Sequence, residues 1–295
     1  MIEKVGFIGL GTMGQHMAAN LMKAGFQVVA YDTVPEAVQN IVKNGAIQAK
    51  SVEDVGKLSD VVILMLPNTP DVQSVIYGAS GLQAHPPSQR LVIDMSTISP
   101  VAVRQICADL AAKQIAFIDA PVSGGPIGAQ NACLTIMAGG DAAAFEQAKP
   151  VLLAMGTTIT HVGPSGAGQT LKLCNQLICG INIQAICEAL ALGRASGIDL
   201  KLLREVLMGG SAGSWMLEKL GPSMIDGNTQ AGFRIDLMLK DLRLVQELAF
   251  ELAVPLPATS LVTTQYLDAR VHGEGANGNQ ALFTVYDRMS NQTSP

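Results

Sequence analysis

Lys172 occupies the position in this sequence that most favours chemistry. It is the only Asp, Glu, Lys or Arg among residues 162–187, and it follows a glycine-rich turn at the start of a long apolar helical pattern. Apolar surroundings disfavour an ammonium ion, so we expect the pKa of Lys172 to fall from its ordinary value of about 10.4 towards one useful for proton transfer. The alternative is a lysine whose aliphatic stem carries the charge to solvent.

Two groups of polar residues could hold a substrate beside that lysine. Asn175 and Gln176 follow Lys172 by three and four residues, which places them on the same helix face, where they could bind a substrate hydroxyl or the lysine itself. The stretch Ser123-Gly124-Gly125 follows an apolar strand. Its backbone N–H groups and hydroxyl could form a neutral nest for a carboxylate or carbonyl oxygen. A tight turn is the alternative interpretation of this stretch.

A glycine-rich loop near the N-terminus predicts a dinucleotide site. An apolar strand over residues 5–8 leads into the loop, a helical pattern follows, and a second apolar strand ends at Asp32; the loop is Gly9-Leu10-Gly11-Thr12-Met13-Gly14. Gly9 permits the tight turn, Gly11 lets a pyrophosphate approach the helix N-terminus, and Gly14 lets the helix pack closely on the strand. Such a loop alone is common in ordinary turns, but in this order of elements it predicts dinucleotide binding.

Asp32 indicates which dinucleotide would bind. It lies eighteen residues after Gly14 at the end of the second strand, where a carboxylate accepts hydrogen bonds from the adenosine ribose hydroxyls. The same charge repels a 2′-phosphate, and the following Thr33-Val34-Pro35 contains no arginine to bind one. The sequence therefore favours NAD over NADP.

The other chemistry-bearing residues give weaker signals. Lys240-Asp241 interrupts an apolar helical stretch, as solvated charge pairs commonly do. The four histidines are scattered, and the five cysteines form no CxxC or Cys/His spacing, so we interpret the cysteines as small apolar residues. We predict neither a hydrolase triad nor a metal site.

Buried strands with loops at their carboxyl ends would position these candidates. Apolar strands over residues 60–66, 91–94 and 115–119 run into loops that contain Leu66-Pro67-Asn68, Ser96-Thr97 and Ser123-Gly124-Gly125. Further strands near residues 46–49, 134–137 and 158–162 alternate with helices. Because doubly wound sheets bind ligands at the carboxyl ends of their strands, we expect the loops to converge on one site.

Helical periodicity replaces this alternation from residue 164 onwards. It predicts a long interdomain helix over about residues 168–197 and further helices over residues 201–208, 215–219, 235–252, 258–270 and 281–288. The predicted fold class is therefore α/β, with a doubly wound dinucleotide-binding domain over residues 1–163 and an all-helical domain over residues 164–295. We expect the polar residues from 291 onwards to be frayed.

Composition excludes several classes of protein. The 295 residues are 48% hydrophobic and 15% charged, which fits neither a disordered chain nor a disulfide scaffold. The net charge of −5 and the lack of a Lys/Arg cluster argue against a nucleic-acid partner. Polar residues interrupt the apolar stretch at 162–187, so we expect a buried helix there and no membrane span. With no leader pattern before the first strand, we expect a cytoplasmic protein that acts on a small molecule.

Six ordered motifs resemble the β-hydroxyacid dehydrogenase family. They are the glycine loop with its preceding strand, Leu66-Pro67-Asn68, Asp94-Met95-Ser96-Thr97 with Pro100, Asp119-Ala120-Pro121-Val122-Ser123-Gly124-Gly125, Gly166-Ala167-Gly168 with Lys172 and Asn175, and Lys240-Asp241-Leu242. The resemblance covers nearly the whole chain. It implies a Rossmann domain joined by a long helix to an all-helical domain, an NAD(P)-dependent dehydrogenase or reductase, and a homodimer or homotetramer built on the helical half.

The resemblance also implies a role for each candidate residue. Lys172 would be the catalytic general acid/base, and Ser123, Gly124 and Gly125 would anchor the substrate, with Asn175 and Gln176 beside it. Leu66, Pro67 and Thr97 would line the nicotinamide and its ribose. Lys240 would reach the cofactor from the helical domain, which is a stronger role than its sequence context alone suggests.

Finer likenesses indicate the substrate. Many family members have Asn four residues after the catalytic lysine, whereas here that position is Gln176 and the Asn stands at 175. This order and residues 208–214 and 232–237 are similar to the tartronate semialdehyde reductase (2-hydroxy-3-oxopropionate reductase) branch. The alternatives are 3-hydroxyisobutyrate dehydrogenase and another semialdehyde or glyoxylate reductase. Lys172 argues against the related imine reductases, which usually carry another residue there, and against a non-enzymatic dehydrogenase-like module.

Overall fold

The computed structural model describes residues 2–290, which form two compact units that divide between Lys172 and Leu173. The first unit contains a sheet flanked by helices, and the described part of the second unit is helical. This is the fold class predicted from the sequence. The predicted domain boundary at residues 163/164 precedes the long helix, whereas the two units divide inside it.

The strands of the first unit alternate with helices along the chain. They are β1 (Lys4–Ile8), β2 (Gln27–Tyr31), β3 (Ile47–Gln48), β4 (Val61–Leu64), β5 (Leu91–Asp94), β6 (Ala116–Asp119), β7 (Val122–Ser123), β8 (Leu134–Gly139) and β9 (Gly156–Gly163). Their order in the sheet is β3-β2-β1-β4-β5-β6-β8-β7, and β9 pairs with β8. Strands β1 to β6 are parallel. The strand order changes direction between β1 and β4: β2 and β3 extend the sheet on one side of β1, and β4, β5 and β6 extend it on the other. Doubly wound sheets bind ligands at such a position.

Helices cover both faces of this sheet. They are α1 (Gly14–Lys23), α2 (Pro35–Val42), α3 (Val52–Leu58), α4 (Thr69–Tyr77), α5 (Pro100–Ala111), α6 (Gly125–Gln130) and α7 (Ala142–Leu153). Along β4, Val61 and Ile63 belong to one core cluster and Val62 and Leu64 to another. The strand is thus buried on both faces, which explains why its sequence is a continuous apolar run without alternation.

One edge of the sheet departs from the parallel arrangement of β1 to β6. Strand β8 is antiparallel to β6, through the pair Asp119 and Gly139, and antiparallel to β7. Only the six-residue α6 and short turns separate β7 from β8, and a connection of fewer than about a dozen residues cannot return the chain to a parallel neighbour. The sequence predicted a loop over β7 because its two residues are too few to show a period.

The long helix α8 (Ala167–Ala195) begins in the first unit and continues into the second. The other helices of the second unit are α9 (Leu200–Met208), α10 (Trp215–Lys219), α11 (Gly221–Ile225), α12 (Ile235–Glu251), α13 (Pro257–Val271), a 3-10 turn (Asn279–Leu282) and α14 (Phe283–Met289). Their shared core includes Ile183, Leu190, Met238, Tyr266 and Phe283.

Within residues 2–290, α8 is the one helix long and apolar enough, by length and composition, to cross a membrane. Its buried Gln169, Gln176 and Gln184 donate hydrogen bonds to protein groups. Such satisfied polar groups are typical of a helix that packs in a protein core, but only 44% of the apolar window of α8 is buried, so the helix is half-buried and not fully buried as predicted.

Two further expectations need correction. The helix predicted over residues 281–288 begins as the 3-10 turn, and α6 and α11 were not predicted. The cysteines were interpreted as small apolar residues, for which burial is usual, but only Cys187 is buried, while Cys133 and Cys174 are exposed. The tail predicted to be frayed from residue 291 lies outside the described residues.

Candidate active site

The glycine loop between β1 and α1 has the geometry of a phosphate cradle. Gly9 has a φ of +98°, and a Cβ there would lie 2.2 Å from Met65 O. A Cβ on Gly14 would lie 1.9 Å from Gly9 O, so α1 packs directly on the loop. A Cβ on Gly11, in contrast, would have no atom within 4 Å. The loop is thus closely packed at both ends and open at Gly11, where a pyrophosphate needs room.

Asp32 supports this loop through both oxygens of its carboxylate. Its Oδ2 accepts a hydrogen bond from Leu10 N at 2.6 Å, and its Oδ1 accepts one from Val34 N at 2.8 Å. The carboxylate therefore connects the end of β2 to the glycine loop. Each carboxylate oxygen has a further lone pair that can accept a hydrogen bond from a ribose hydroxyl.

The loops after β4 and β5 are joined to each other. Leu66 N donates to Ser96 Oγ at 2.8 Å, and Ser96 N donates to the buried carboxylate of Asp94 at 3.1 Å. Thr97 is half-buried and Pro67 is exposed. The predicted nicotinamide-lining residues thus occupy neighbouring loops at the carboxyl end of the sheet, as the sequence indicated.

The stretch Ser123-Gly124-Gly125 is more structured than the turn considered from the sequence. Ser123 ends β7, Gly124 has a φ angle of +131°, and Gly125, the first residue of α6, has a φ angle of +63°. A side chain at either glycine would be strained. A Cβ on Gly125 would have no atom within 4 Å, so the backbone there is accessible to a ligand.

Asp119 connects the end of β6 to the start of α8. Its carboxylate is buried and accepts hydrogen bonds from Gly166 N at 2.8 Å and Gln169 N at 2.9 Å. Burial raises the pKa of Asp119 to about 6, and the backbone N–H donors act in the opposite direction. Lys172 lies in the second turn of α8 and is 7% exposed. The start of α8, which carries Lys172, is therefore bonded to the end of β6, and the segment that contains Ser123 follows β6 along the chain.

In the second unit, two hydrogen bonds and an ion pair connect the predicted residues in series. Asn175 Nδ2 donates to Gln176 Oε1 at 2.8 Å, and Gln176 Nε2 donates to Asp241 Oδ2 at 2.6 Å. Lys240 Nζ lies 2.8 Å from Asp241 Oδ1. The carboxylate of Asp241 is 1% exposed, so it fixes both Gln176 and Lys240 from a buried position.

Sequence reasoning missed three polar residues at these positions. Asp119 and Asp241 were noted only as parts of motifs and Asp241 also as half of a charge pair, and Gln169 was one of the polar residues that interrupt the apolar stretch at 162–187. For Asp241 a local signal existed, because it lies three residues after Met238 and four before Val245 on the buried face of α12. Within residues 2–290, no three His, Cys, Asp or Glu side chains form a group suited to a metal ion.

Comparisons with known proteins identify the family. Residues 4–163 match the family model described as the NAD binding domain of 6-phosphogluconate dehydrogenase. Residues 166–286 match the model described as NAD-binding of NADP-dependent 3-hydroxyisobutyrate dehydrogenase. The chain belongs to the β-hydroxyacid dehydrogenase family. As a member it is an oxidoreductase that acts on hydroxyl groups and uses NAD, and the open glycine loop and Asp32 fit that cofactor.

Relatives of this β-hydroxyacid dehydrogenase carry different substrate names. The 2-hydroxy-3-oxopropionate reductase of Escherichia coli K12 is 38% identical and covers 98% of each chain. The NAD-dependent L-serine dehydrogenase of Pseudomonas aeruginosa is 41% identical and covers 90% of this chain and 91% of its own. The crystal structure of 3-hydroxyisobutyrate dehydrogenase from Salmonella typhimurium superposes with a TM-score of 0.88 at 32% identity, covering 96% of this chain and 99% of that one.

Proposed function

We propose that this β-hydroxyacid dehydrogenase is a tartronate semialdehyde reductase (2-hydroxy-3-oxopropionate reductase) in which Lys172 is the proton donor. The observation that carries the proposal is the burial of Lys172 on α8. The N-terminal end of this helix is bonded to Asp119, which precedes Ser123-Gly124-Gly125 by four residues in the sequence. A buried lysine in the helix that is bonded to the carboxyl end of a dinucleotide-binding sheet suits a reaction that moves one proton.

The proposed chemistry divides between cofactor and protein. NADH, when bound, supplies the hydride that reduces the aldehyde carbon to an alcohol. Lys172 donates its proton to the aldehyde oxygen, and in the reverse direction it accepts the proton of the hydroxyl group. The hydroxyl of Ser123 and the backbone N–H groups of Gly124 and Gly125 hold the substrate carboxylate. Asn175 and Gln176 orient the substrate, and Lys240 contacts the cofactor.

The choice of substrate rests on finer features. The order of Asn175 and Gln176 favours the 2-hydroxy-3-oxopropionate reductase branch, and a relative of that name covers nearly all of this chain. A relative named L-serine dehydrogenase at similar identity makes oxidation of a 3-hydroxyacid with an amino substituent the second candidate.

We further propose a homodimer or homotetramer in the cytoplasm, with no nucleic-acid or membrane partner. The support is a set of exposed apolar side chains on the second unit, each at least 66% exposed: Leu192, Val206, Phe250, Val271 and Met289. Surface of this kind is commonly covered in oligomers.

A substrate panel tests the proposed function directly. We expect NADH oxidation with tartronate semialdehyde to have a kcat/KM at least about ten times that with methylmalonate semialdehyde, succinate semialdehyde or glyoxylate. The oxidative direction is assayed with L-serine and 3-hydroxyisobutyrate. A preference for either of these, or for methylmalonate semialdehyde, would refute the proposed substrate and leave the family assignment intact.

Asp32→Asn tests the proposed preference for NADH. Removing the charge relieves repulsion of a 2′-phosphate, so we expect the ratio of kcat/KM for NADH to that for NADPH to fall by about tenfold. Activity with NADH should also fall, because Asn can replace only one of the two acceptors that hold Leu10 N and Val34 N. The measurement is steady-state kinetics with both cofactors.

Glu3→Gln is the matched control for Asp32→Asn. Glu3 is an exposed residue just before β1, so this variant removes one negative charge from the same unit at the opposite end of that strand from the glycine loop. It should leave the cofactor ratio unchanged. An equal change of ratio in both variants would mean that net charge, and not the position of Asp32, sets the preference.

A further inference from the structure

The side chain of Gln169 connects α8 to the loop after β5. It is fully buried, and its amide is bonded to the backbone on both sides of Thr97. Nε2 donates to Ser96 O at 2.8 Å, and Oε1 accepts from Ile98 N at 3.1 Å. The side-chain amide thus forms hydrogen bonds with a backbone C=O and a backbone N–H of this loop, as the backbone of a neighbouring strand would. We call residues 95–99 the Thr97 loop.

The contacts of Gln169 continue in two directions. Its backbone N–H donates to Asp119 at the end of β6, as described above. The hydroxyl of Ser96 accepts from Leu66 N after β4. Hydrogen bonds therefore run without interruption from the loop after β4, through the Thr97 loop, to the start of α8 and the end of β6. Every residue in this series of hydrogen bonds belongs to the first unit.

We propose that Gln169 is a positioning residue, which holds the Thr97 loop at a fixed distance from Lys172. The inference rests on the proposed function, since it assumes that Lys172 moves the proton and that Thr97 lines the nicotinamide. Lys172 lies three residues after Gln169 on the same helix, so the bridge sets the proton donor relative to the cofactor loop. A misplacement of about 1 Å between reacting groups can lower a rate by about 100-fold.

Gln169→Met removes both amide contacts at nearly constant volume. The matched control is Gln184→Met, which removes the amide contact of another buried glutamine of α8, the bond from Gln184 Nε2 to Glu188 at 3.1 Å. Both variants should lose thermal stability. Only the first should affect the Thr97 loop.

Three measurements distinguish positioning from stability. In Gln169→Met we expect hydrogen exchange of the Ile98 amide to accelerate by about tenfold or more, because its acceptor is gone. We expect kcat to fall by about 30-fold or more while the Kd for NADH, followed by its fluorescence, changes by less than about fivefold. In Gln184→Met, Ile98 exchange and kcat should remain within about threefold of the wild type.

The inference is overturned if Gln169→Met lowers kcat no more than Gln184→Met does, or if exchange at Ile98 is unchanged. Should wild-type protein reduce no substrate of the panel, the proposed function has failed, and the Ile98 exchange and NADH binding then decide alone whether Gln169 holds the loop. If Gln169→Met does not fold, Gln169→Glu replaces it, and kcat and the Kd for NADH are then the criteria. That variant keeps the acceptor for Ile98 N and, when ionised, lacks the donor to Ser96 O.

Discussion

Lys172→Met is expected to abolish turnover while leaving cofactor binding nearly intact. General acid catalysis contributes about 100-fold to 10,000-fold, and methionine cannot donate a proton, so kcat should fall by about 1,000-fold or more. The glycine loop and Asp32, which are predicted to bind most of the cofactor, are far from Lys172 in the sequence. The Kd for NADH should therefore stay within about threefold of the wild type. Single-turnover reduction of tartronate semialdehyde measures the chemical step.

A second substitution at Lys172 distinguishes the effect of its positive charge from its role in proton transfer. Lys172→Arg keeps a cation, but a guanidinium does not release its proton in proteins. If Lys172 acts as acid/base, the arginine variant should be nearly as inactive as the methionine variant. If the positive charge only attracts the substrate carboxylate, Lys172→Arg should retain much of the activity and raise KM less than Lys172→Met does.

Lys201→Met is the matched control for the lysine variants. The side chain of Lys201 is 75% exposed on α9 and lies 3.6 Å from Asp226, an exposed ion pair that contributes little to stability. This variant should keep wild-type kcat and KM. Activity within tenfold of the wild type in Lys172→Met would contradict the assignment of Lys172 as the proton donor.

The order of strands and helices could be predicted from the sequence where short stretches of residues carry a clear pattern. The buried strands β1, β4 and β5 are continuous apolar runs, and the glycine loop and Asp32 mark the first βαβ unit. Lys172 could be singled out for the same reason, because its isolation among apolar residues is visible along the chain. Such patterns follow from periodicity and composition over short windows.

The antiparallel edge and the buried polar contacts could not be predicted in this way. The pairing of β7 with β8 depends on which strands meet in space, and β7 has only two residues. Gln169 lies 73 residues from Ser96 and 50 from Asp119, the residues that it bonds. A glutamine in an apolar helix has many potential partners, and only the folded sheet determines which of them lies within 3 Å.

Gly11→Ala is expected to weaken cofactor binding strongly without destabilising the protein. An added Cβ has no atom within 4 Å, and the backbone there lies outside the left-handed region, so the melting temperature in the absence of cofactor should be unchanged. The same Cβ would occupy the space through which a pyrophosphate approaches the loop, so the Kd for NADH should rise by about tenfold to 100-fold. Calorimetric titration with NADH and thermal unfolding without it measure the two effects.

Alanine substitutions at two other glycines provide comparisons for Gly11→Ala. Gly14→Ala places a Cβ 1.9 Å from Gly9 O, so this variant should lose both stability and cofactor binding. Gly210→Ala is the matched control, since its Cβ would lie 3.9 Å from the nearest atom, Leu207 O, on the second unit. It should change neither property.

The contrast between Gly11 and Gly14 separates two reasons for a glycine. At Gly14 the protein's own backbone excludes a side chain, and the folded chain without ligand already requires glycine. At Gly11 the folded chain leaves room for a methyl group, so only a ligand can require glycine there. If Gly11→Ala binds NADH within about threefold of the wild type, the pyrophosphate does not approach this residue, and the proposed orientation of the cofactor on the sheet is wrong.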